Sequence, residues 1–413
     1  MTATFRSALT VVLSLLVLAN AATADDWPQF RGLTRDGKSA ETGLLAEWPA
    51  DGPELLWHVS GIGNGYTHVT VANGLIYVTG GAGDEGVLQA YTLEGEPKWR
   101  ATYGTEWNAA YPGARSIPTV HDGRVYVVSG LGDLACLDAA TGEPAWSLKL
   151  FAQYEAPAIM MWGFAESLLI DGEKLIATPC GDKATMVALN RETGEEIWTS
   201  PALGQGSSFC SPMLIERAEQ RLIVTLTETH VVAFSAEDGA VVWQHPYQNA
   251  RQNHPVTPIY DDGMIYITSG YGKGAVGLAL SEDGTSVTQL WEQPQQDPVH
   301  GQAVLVDGHV YASSHQRASG RWSCVELATG KLAWEDACVG KGGSVIYADG
   351  MLYCYSESGV VGLVRPTPEG CEVVSTFEVP HGEGPHWAHP VIADGRLYIR
   401  HGDALMCYDV TGG

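Results

Sequence analysis

Short apolar runs alternate with turn residues along most of the chain, and one pattern returns repeatedly. In the stretch from Leu134 to Trp146, apolar and small residues alternate and predict a half-buried strand, Asp138 to Gly142 have turn chemistry, and Trp146 lies four residues past the glycine. The same step from glycine to tryptophan recurs at Gly95/Trp99, Gly194/Trp198, Gly239/Trp243 and Gly330/Trp334, and less regularly before Trp291. The stretch is therefore one copy of a repeat.

A two-residue turn between two apolar runs precedes nearly every copy. The seven turns are Asn73-Gly74, Asp122-Gly123, Asp171-Gly172, Asp262-Gly263, Asp307-Gly308, Asp349-Gly350 and Asp394-Gly395. Such dipeptides supply the positive φ of a type I′ hairpin turn, and the segment 216–221 replaces an eighth turn. Each repeat thus predicts four antiparallel strands, A to D, with a period of roughly 42 to 52 residues that is typical of a propeller blade.

The last strand D of the ring is missing from the C-terminal end of the sequence. The repeats give seven structural anchors and a phenylalanine where an eighth is expected: Trp57, Trp99, Trp146, Trp198, Trp243, Trp291, Trp334 and Phe377. Residues 55–57 form a strand D that no strand A, B or C precedes, so they should complete the last blade beside residues 404–410 and leave no open sheet edge. The sequence therefore predicts an all-β, eight-bladed β-propeller over residues 55–413, whose last blade is closed by an N-terminal strand.

Two segments precede the propeller. Residues 1–24 combine one basic residue, an apolar run and two small-x-small sites, which is the pattern of a secretory signal peptide; an uncleaved membrane anchor is the alternative, although the run is short for a span. Residues 25–54 form an aromatic-rich leader that we expect to pack on the propeller wall, with a partner-binding arm as the alternative. We expect a soluble, monomeric protein that is exported to a periplasm or outside the cell, with no membrane insertion of the mature chain.

The charge of the chain excludes some partners. The formal net charge is −25, and no run of Lys or Arg follows the predicted signal peptide. Phosphate backbones and anionic membrane surfaces would be repelled. Nucleic acid is therefore not an expected partner.

The eight cysteines divide by their position in the repeat. Cys136, Cys324 and Cys407 occupy a strand C position that other blades fill with alanine, so we expect small core residues too far apart to pair with one another. Cys180 and Cys210 fall in loops of one face. They either form a disulfide or remain unpaired, and an exported protein permits both.

The D-A and B-C loops share one face, which carries most of the irregular, aromatic and histidine-rich sequence. Long inserts precede blade 2 (103–115) and blade 3 (151–165). Because strand A is the innermost strand, residues at its start should line the central channel, and aligning blades on the turn glycine selects them. The candidate ligand-binding residues of this funnel are Tyr66, His68, Arg115, Trp162, Glu166, His300, Gln302, Trp387 and His389. The alternative is that they merely line a water-filled channel.

Other chemistry has less support in the sequence. His386 could join His68, His300, His389 and Glu166 as metal ligands if several converged, but no fixed spacing brings them together, and we expect no metal site. No phosphate-binding loop, nucleophile elbow or Cys-x-x-Cys is present in the sequence. The sequence therefore names no catalytic residues.

The repeat segments at 137–146 (LDAATGEPAW) and 188–198 (ALNRETGEEIW) resemble the pyrroloquinoline quinone (PQQ) repeat of the quinoprotein alcohol dehydrogenase-like superfamily. The resemblance covers about residues 50–410. The opening WPQFRG at 27–32 is similar to that of secreted PQQ-like propellers, and the chain is more distantly similar to the propeller of outer-membrane barrel assembly.

The resemblance implies two classes of function. A quinoprotein dehydrogenase would hold PQQ and calcium in the funnel, with an aspartate base and an adjacent cysteine pair, but no two cysteines are adjacent here. The favoured prediction is an exported, non-catalytic binding propeller that holds a small ligand, a glycan or an exported protein and has no cofactor. The alternative is a PQQ-dependent alcohol or sugar dehydrogenase with a divergent site.

Overall fold

The computed structural model describes residues 26–157, 161–314 and 320–412. These residues form eight four-stranded antiparallel sheets, which confirms the predicted eight-bladed β-propeller. Seven sheets use four consecutive strands, and the eighth combines the first strand of the chain with the last three. The predicted signal peptide, 1–24, lies outside the described residues.

Strand bounds follow the predicted repeat. Strand β1 (Glu54–Ser60) belongs to blade 8. Blades 1 and 2 contain β2 (Thr70–Ala72), β3 (Leu75–Ala82), β4 (Glu85–Thr92), β5 (Pro97–Thr105), β6 (Thr119–His121), β7 (Arg124–Val128), β8 (Asp133–Asp138) and β9 (Pro144–Lys149). Blades 3 and 4 contain β10 (Leu169–Asp171), β11 (Lys174–Ala177), β12 (Val187–Asn190), β13 (Glu196–Thr199), β14 (Met213–Arg217), β15 (Gln220–Leu226), β16 (His230–Ser235) and β17 (Val241–Pro246).

The second half of the ring repeats this order. Blades 5 and 6 contain β18 (Ile259–Asp261), β19 (Met264–Ser269), β20 (Gly274–Leu280), β21 (Val287–Gln293), β22 (Ala303–Val306), β23 (His309–Ser314), β24 (Arg321–Glu326) and β25 (Leu332–Asp336). Blade 7 and the rest of blade 8 contain β26 (Gly343–Ala348), β27 (Met351–Ser356), β28 (Val360–Arg365), β29 (Glu372–Glu378), β30 (Val391–Ala393), β31 (Arg396–His401) and β32 (Ala404–Asp409). The short helix α1 (Leu150–Tyr154) lies at the start of the insert before blade 3, and among the described residues no helix is long and apolar enough to cross a membrane.

The ring closes between the two ends of the chain. Strand β1 pairs antiparallel with β32, and Trp57 lies opposite Cys407. The same pairing of an anchor with a small residue occurs in blades 2 and 6, where Trp146 faces Cys136 and Trp334 faces Cys324. These three cysteines are buried and unpaired, as predicted.

Five of the anchors also contact a glycine of the next blade. Trp99 of blade 1 lies against Gly142 in the C-D turn of blade 2, where an added Cβ would come within 2.5 Å of its ring. The same contact joins Trp57 to Gly95, Trp146 to Gly194, Trp198 to Gly239 and Trp291 to Gly330. In each case the glycine has positive φ and leaves room for a ring. The position thus needs both a positive φ and space for a tryptophan ring, which explains why glycine and tryptophan recur together in the sequence.

The A-B turns match the predicted type in six blades. At Asp122-Gly123, for example, both residues have positive φ, as a type I′ turn requires. Blade 3 differs, because Asp171 pairs with Lys174 and the turn residues are Gly172 and Glu173. Strand β10 therefore lies one residue out of the predicted alignment.

The leader packs on the propeller in two places. Its first part crosses the channel opening opposite the predicted binding face and makes backbone hydrogen bonds with the inner strands of three blades: Trp27 with Val71, Pro28 with Val120 and Ser39 with Tyr347. Its second part lies on the outer strand of blade 7, where the Trp48 amide donates to the Ser375 hydroxyl and the Trp48 ring packs on Phe377. The inner strands are sheet edges, and the leader pairs with their unused backbone groups.

Two leader arginines enter the ring and close the channel. Arg31 donates to the carbonyl of Ala303 in blade 6, and Arg35 donates to Ser167 and Leu168 just before blade 3, both at 3.0 Å. Both guanidinium groups are buried, where backbone carbonyls replace water. The channel therefore ends blindly on this side.

The sequence left two alternatives open for Cys180 and Cys210. The structure shows the second, because both cysteines are buried and unpaired. The bridge that the structure contains joins Cys338, after blade 6, to Cys371, at the start of strand β29. It fastens two neighbouring blades at their outer strands.

Candidate functional site

A cavity of about 290 Å³ lies inside the D-A loop face, at the wide end of the closed channel. It is lined by Phe30, Tyr66, His68, Tyr111, Arg115, Ile117, Trp162, Ala165, Phe209, Ser211, Asn253, Pro255, Tyr271, His300, Gln302, Trp387 and His389. Nearly all of these residues come from the loops that lead into strand A of different blades. We call this cavity the funnel.

The structure brings together eight of the nine residues predicted for this site. Tyr66, His68, Arg115, Trp162, His300, Gln302, Trp387 and His389 all line the funnel. Glu166 does not, because blade 3 is shifted by one residue. With that shift Ala165 and Ser167 occupy the aligned positions, and Ala165 is the residue that lines the wall.

Aromatic rings form most of the wall. Trp387 lies with its ring centre 5.1 Å from that of Tyr66, 4.9 Å from Tyr111 and 4.4 Å from His300. Trp162 packs edge-on against Phe209 at 6.1 Å. These separations are normal for packed aromatic groups, so the wall is braced ring against ring and keeps broad apolar faces.

Three of the wall residues have unusual backbone conformations. Tyr111, Phe209 and Tyr271 have φ values of 53°, 72° and 64°. Positive φ is uncommon for bulky side chains, and such strain concentrates at sites where its cost is offset by function. The loops thus hold aromatic side chains toward the funnel at a conformational cost.

The floor of the funnel is built by the leader. Phe30 stacks on His68 with ring centres 5.8 Å apart and planes 11° apart, and His389 lies 5.8 Å from both rings. The ring of His68 is held in place, because its Nδ1 lies 2.6 Å from the Val69 carbonyl and its Nε2 accepts from the Arg31 amide. The leader therefore completes the site as well as the fold.

Both floor histidines are neutral at physiological pH. Burial lowers the pKa of His68 to about 4, and burial together with the charges of neighbouring groups places the pKa of His389 well below its usual value. Arg31 lies directly beneath them and adds to this effect. Neither histidine carries a charge at pH 7. Both ring nitrogens of His68 are already bonded within the protein, so of these two only His389 can form a hydrogen bond with a ligand.

Arg115 forms hydrogen bonds with backbone carbonyls of its own loop. Its guanidinium donates to the carbonyls of Gly113 at 2.6 Å, Ala110 at 3.3 Å and Tyr111, and it lies 5.4 Å over the Tyr66 ring. Burial lowers its pKa to about 10, so the charge is retained. Three backbone carbonyls therefore accept hydrogen bonds from this buried cation.

Glu166 lies behind the wall. Its carboxyl accepts from the Thr178 amide at 3.0 Å, and burial raises its pKa to about 8 although Arg35 lies nearby. At neutral pH it therefore holds a proton for most of the time. A buried, mostly neutral acid outside the funnel is not placed to act on a ligand there.

The metal hypothesis gains nothing from the geometry. His386 lies away from the funnel, stacked on His401 at 3.7 Å and bonded to Tyr355 at 2.6 Å. Over the described ranges, no group of three or more His, Cys, Asp or Glu side chains is arranged to hold a metal ion. Of the five hypothetical ligands, His68, His300 and His389 line the funnel, whereas His386 and Glu166 lie outside it.

Nine wall residues are not among the candidates, and five of these could not be found by aligning the blades on the turn glycine. Phe30 comes from a leader that has no repeat register, Tyr111 and Asn253 lie in irregular loops, Tyr271 lies in a B-C loop, and Ala165 becomes visible only with the one-residue shift. For two of them, Tyr111 and Tyr271, the aromatic content of the loops was the only signal in the sequence. Aligning the blades on the turn glycine identifies residues at the ends of strands and misses residues in the loops.

Comparisons with known proteins agree with the architecture. A family model described as "Outer membrane protein assembly factor BamB" matches residues 84–336 and 273–367. The outer membrane protein assembly factor BamB of Shewanella oneidensis is 23% identical over 259 residues, which span 59% of this chain and 61% of that protein. The match thus leaves more than a third of that relative uncovered.

Two solved structures share the fold at low identity. BamB from Moraxella catarrhalis superposes with a TM-score of 0.62 at 17% identity, covering 86% of this chain and 97% of that one. Quinohemoprotein alcohol dehydrogenase from Comamonas testosteroni gives a TM-score of 0.64 at 16% identity, covering 96% of this chain and 82% of that one. The predicted resemblance to PQQ-like propellers is confirmed. Since the family model matches well over half of the sequence, the chain belongs to the family described as outer membrane protein assembly factor BamB.

Proposed function

We propose that this protein is an exported, non-catalytic binding propeller that holds a ligand or a protein partner at its D-A loop face. The observation that carries the proposal is the funnel itself: a blind, aromatic-walled cavity whose two floor histidines are neutral and whose Arg115 is already bonded to backbone carbonyls. Apolar cavities with a few placed polar groups are the usual form of a binding site.

The fold suits the alternative, a quinoprotein dehydrogenase, but the side chains of the funnel do not offer the ligands that calcium needs. Calcium takes carboxylate and carbonyl oxygens, and among the described residues no Asp or Glu side chain lines the funnel. Glu166 lies outside it, behind the wall. The funnel residues therefore do not supply the ligands of calcium, and we derive no step through calcium and PQQ.

The rim of the funnel suits a protein partner. Three large apolar side chains on this face are well exposed, namely Tyr111 at 48%, Leu131 at 42% and Met161 at 49%. Exposed apolar residues that gather around a cavity are typical of interaction surfaces. The relatives are named for assembling outer membrane proteins, and we carry over from that name only the general idea of a protein partner.

The disulfide supports an exported location. Cys338 and Cys371 are bonded, and such bridges persist in oxidising compartments such as the bacterial periplasm. The predicted export signal agrees with this environment. We therefore place the proposed activity outside the cytoplasm.

A photo-crosslinking experiment tests the binding face. A photoreactive residue would replace Met161 on the rim or Asp262 on the opposite face, where the Asp262 side chain is 97% exposed. We expect partner adducts from position 161 in producing cells and none from position 262. Adducts from position 262 alone would overturn the proposed face.

A second experiment tests the enzymatic alternative. The purified protein would be titrated with PQQ and Ca²⁺ while its absorbance is recorded, and dye-linked oxidation of alcohols and sugars would be assayed. We expect no saturable spectral change and no turnover. Turnover that His389→Phe removes would replace the binding proposal with the quinoprotein one.

A further inference from the structure

We propose that the funnel binds a single neutral sugar ring, such as the terminal unit of a neutral glycan. This inference rests on the proposed function, because it names the ligand class for the same site. Four properties of the funnel lead to it: its size, its flat aromatic faces, its unpaired hydrogen-bond acceptor and its charge.

The funnel has room for one ring. Its volume is about 290 Å³. Small-molecule sites usually measure roughly 300–1,000 Å³, so this one lies at the small end. Because the leader closes the channel below Phe30, a longer chain cannot thread through and must extend outward. The bound group is therefore the end of a molecule.

The walls offer faces that suit the C–H surface of a sugar. Trp387 stands at the centre of the aromatic cluster, and Trp162 and Phe209 form a second cluster. Aromatic rings bind flat apolar surfaces with little loss of conformational entropy. A sugar ring presents such a surface on one face and hydroxyl groups around its edge.

One acceptor at the funnel has no donor among the described residues. The Nε2 of His389 lies 3.2 Å from the His300 carbonyl, which can only accept, so Nε2 carries the proton and Nδ1 is left as an acceptor without a partner. A ligand that brings a donor would fill this place. Sugar hydroxyl groups are donors.

The groups around the funnel favour an uncharged ligand. Arg31 and Arg35 lie buried beneath the floor and Arg115 lies in the wall, so a cation would be repelled. The same charges would attract an anion, but Arg31 and Arg35 are buried, three N–H groups of Arg115 already bond to carbonyls, and His389 offers an anion only an acceptor. A neutral ligand that donates hydrogen bonds meets neither the repulsion nor the unpaired acceptor.

Binding assays with defined probes test the inference. The mature protein would be screened on an array of neutral oligosaccharides ending in glucose, galactose, mannose or N-acetylglucosamine. Hits would be titrated by tryptophan fluorescence and calorimetry, with choline and glucuronate as charged comparisons. We expect a neutral sugar to bind and to quench fluorescence, with no comparable effect of choline or glucuronate.

Variants locate the bound sugar. Trp387→Ala and His389→Phe should each weaken binding by about tenfold or more, which corresponds to ~1.4 kcal/mol. His309→Phe makes the same change as His389→Phe at an exposed histidine on the opposite face and should bind as wild type does. Circular dichroism and melting curves check that each variant is folded, and His389→Phe tests the site if Trp387→Ala is not.

The outcomes separate the two proposals. Preferential binding of choline or glucuronate, or no binding of any neutral sugar, overturns the sugar inference. If crosslinking at position 161 still succeeds in that case, the binding face stands and only its ligand class is wrong. Sugar binding that both funnel variants leave unchanged also overturns the inference, because the sugar then binds elsewhere.

Discussion

The indole Nε1 of Trp57 donates to the carbonyl of Leu93 at 2.9 Å. Trp57 lies on β1, the N-terminal strand of blade 8, and Leu93 lies in the C-D turn of blade 1. The same bond joins Trp99 to Ala139, Trp146 to Arg191 and Trp291 to Leu327. The blade that is assembled from both chain ends is therefore fastened to its neighbour in the same way as blades made from one segment.

Trp57→Ala should destabilise the protein by about 3 kcal/mol, because a large packed ring and a hydrogen bond are lost together. The neighbouring Leu56 is 42% exposed, so Leu56→Ala should change stability by less than about 0.5 kcal/mol. Thermal and denaturant unfolding would measure both. Equal effects of the two substitutions would mean that the closing strand contributes no specific contact.

Gly142→Ala isolates the contact between tryptophan and glycine. Gly142 and Gly123 have nearly equal φ values of 74° and 73°, but a Cβ at Gly142 would clash with Trp99 while nothing lies within 4 Å at Gly123. Gly123→Ala should cost about 1 kcal/mol from backbone strain alone, and Gly142→Ala should cost about 1–3 kcal/mol more from overpacking. Similar costs in chemical denaturation would reject the interblade role.

The fold could be predicted because the same contacts between neighbouring blades recur from one repeat to the next. Glycine and tryptophan lie four residues apart, and each contacts the neighbouring copy of the other, so packing leaves a periodic trace in the sequence. The closure by Trp57 could be inferred by counting strands. These features need no knowledge of contacts between distant segments.

The site could be predicted only as far as that register holds. The A-B turn of blade 3 moves by one residue and turns Glu166 away from the funnel. The leader has no repeat to align, so the sequence could not place Phe30 on the floor. The Cys338–Cys371 bridge joins an irregular loop to a strand of the next blade, and no spacing rule links such positions.

The disulfide should contribute measurable stability. It closes a loop with a sequence separation of 33, for which chain entropy gives about 3–4 kcal/mol. Cys338→Ser with Cys371→Ser should therefore lower the melting temperature, and a reductant should lower that of the wild type but not of the double variant. Cys136→Ala, at a buried unpaired cysteine, should retain the response to reductant.

Because of Glu166, the free energy of unfolding should fall as the pH becomes alkaline. Its folded pKa is about 8, above the ordinary value of 4.5, so the folded state binds more protons than the unfolded state between these values. Its contribution is then most favourable below about pH 4.5 and is lost as the pH rises through about 8.

The substitution Glu166→Gln should remove this loss. The amide keeps an acceptor for the Thr178 N–H and cannot ionise. We expect the variant to be more stable than wild type at pH 9 and close to it at pH 4, as measured by melting temperature across that range. A difference that does not change with pH would show that the carboxyl stays in one protonation state.

Arg115 should act on the ligand through the loop that it holds. Its three carbonyl partners lie in the insert before blade 2, and they include Tyr111, whose backbone has positive φ and whose ring packs on Trp387. Arg115→Ala frees these carbonyls and should let Tyr111 leave the wall, with a loss of about 1–3 kcal/mol in stability.

Ligand binding to Arg115→Ala should weaken to the level of Tyr111→Ala. Adding Arg115→Ala to Tyr111→Ala should weaken binding little further, since the effects of coupled residues are not additive. Arg365→Ala removes an arginine from an exposed ion pair with Glu372 and serves as the control. Fully additive effects of Arg115→Ala and Tyr111→Ala on affinity would instead mean that the guanidinium contacts the ligand itself.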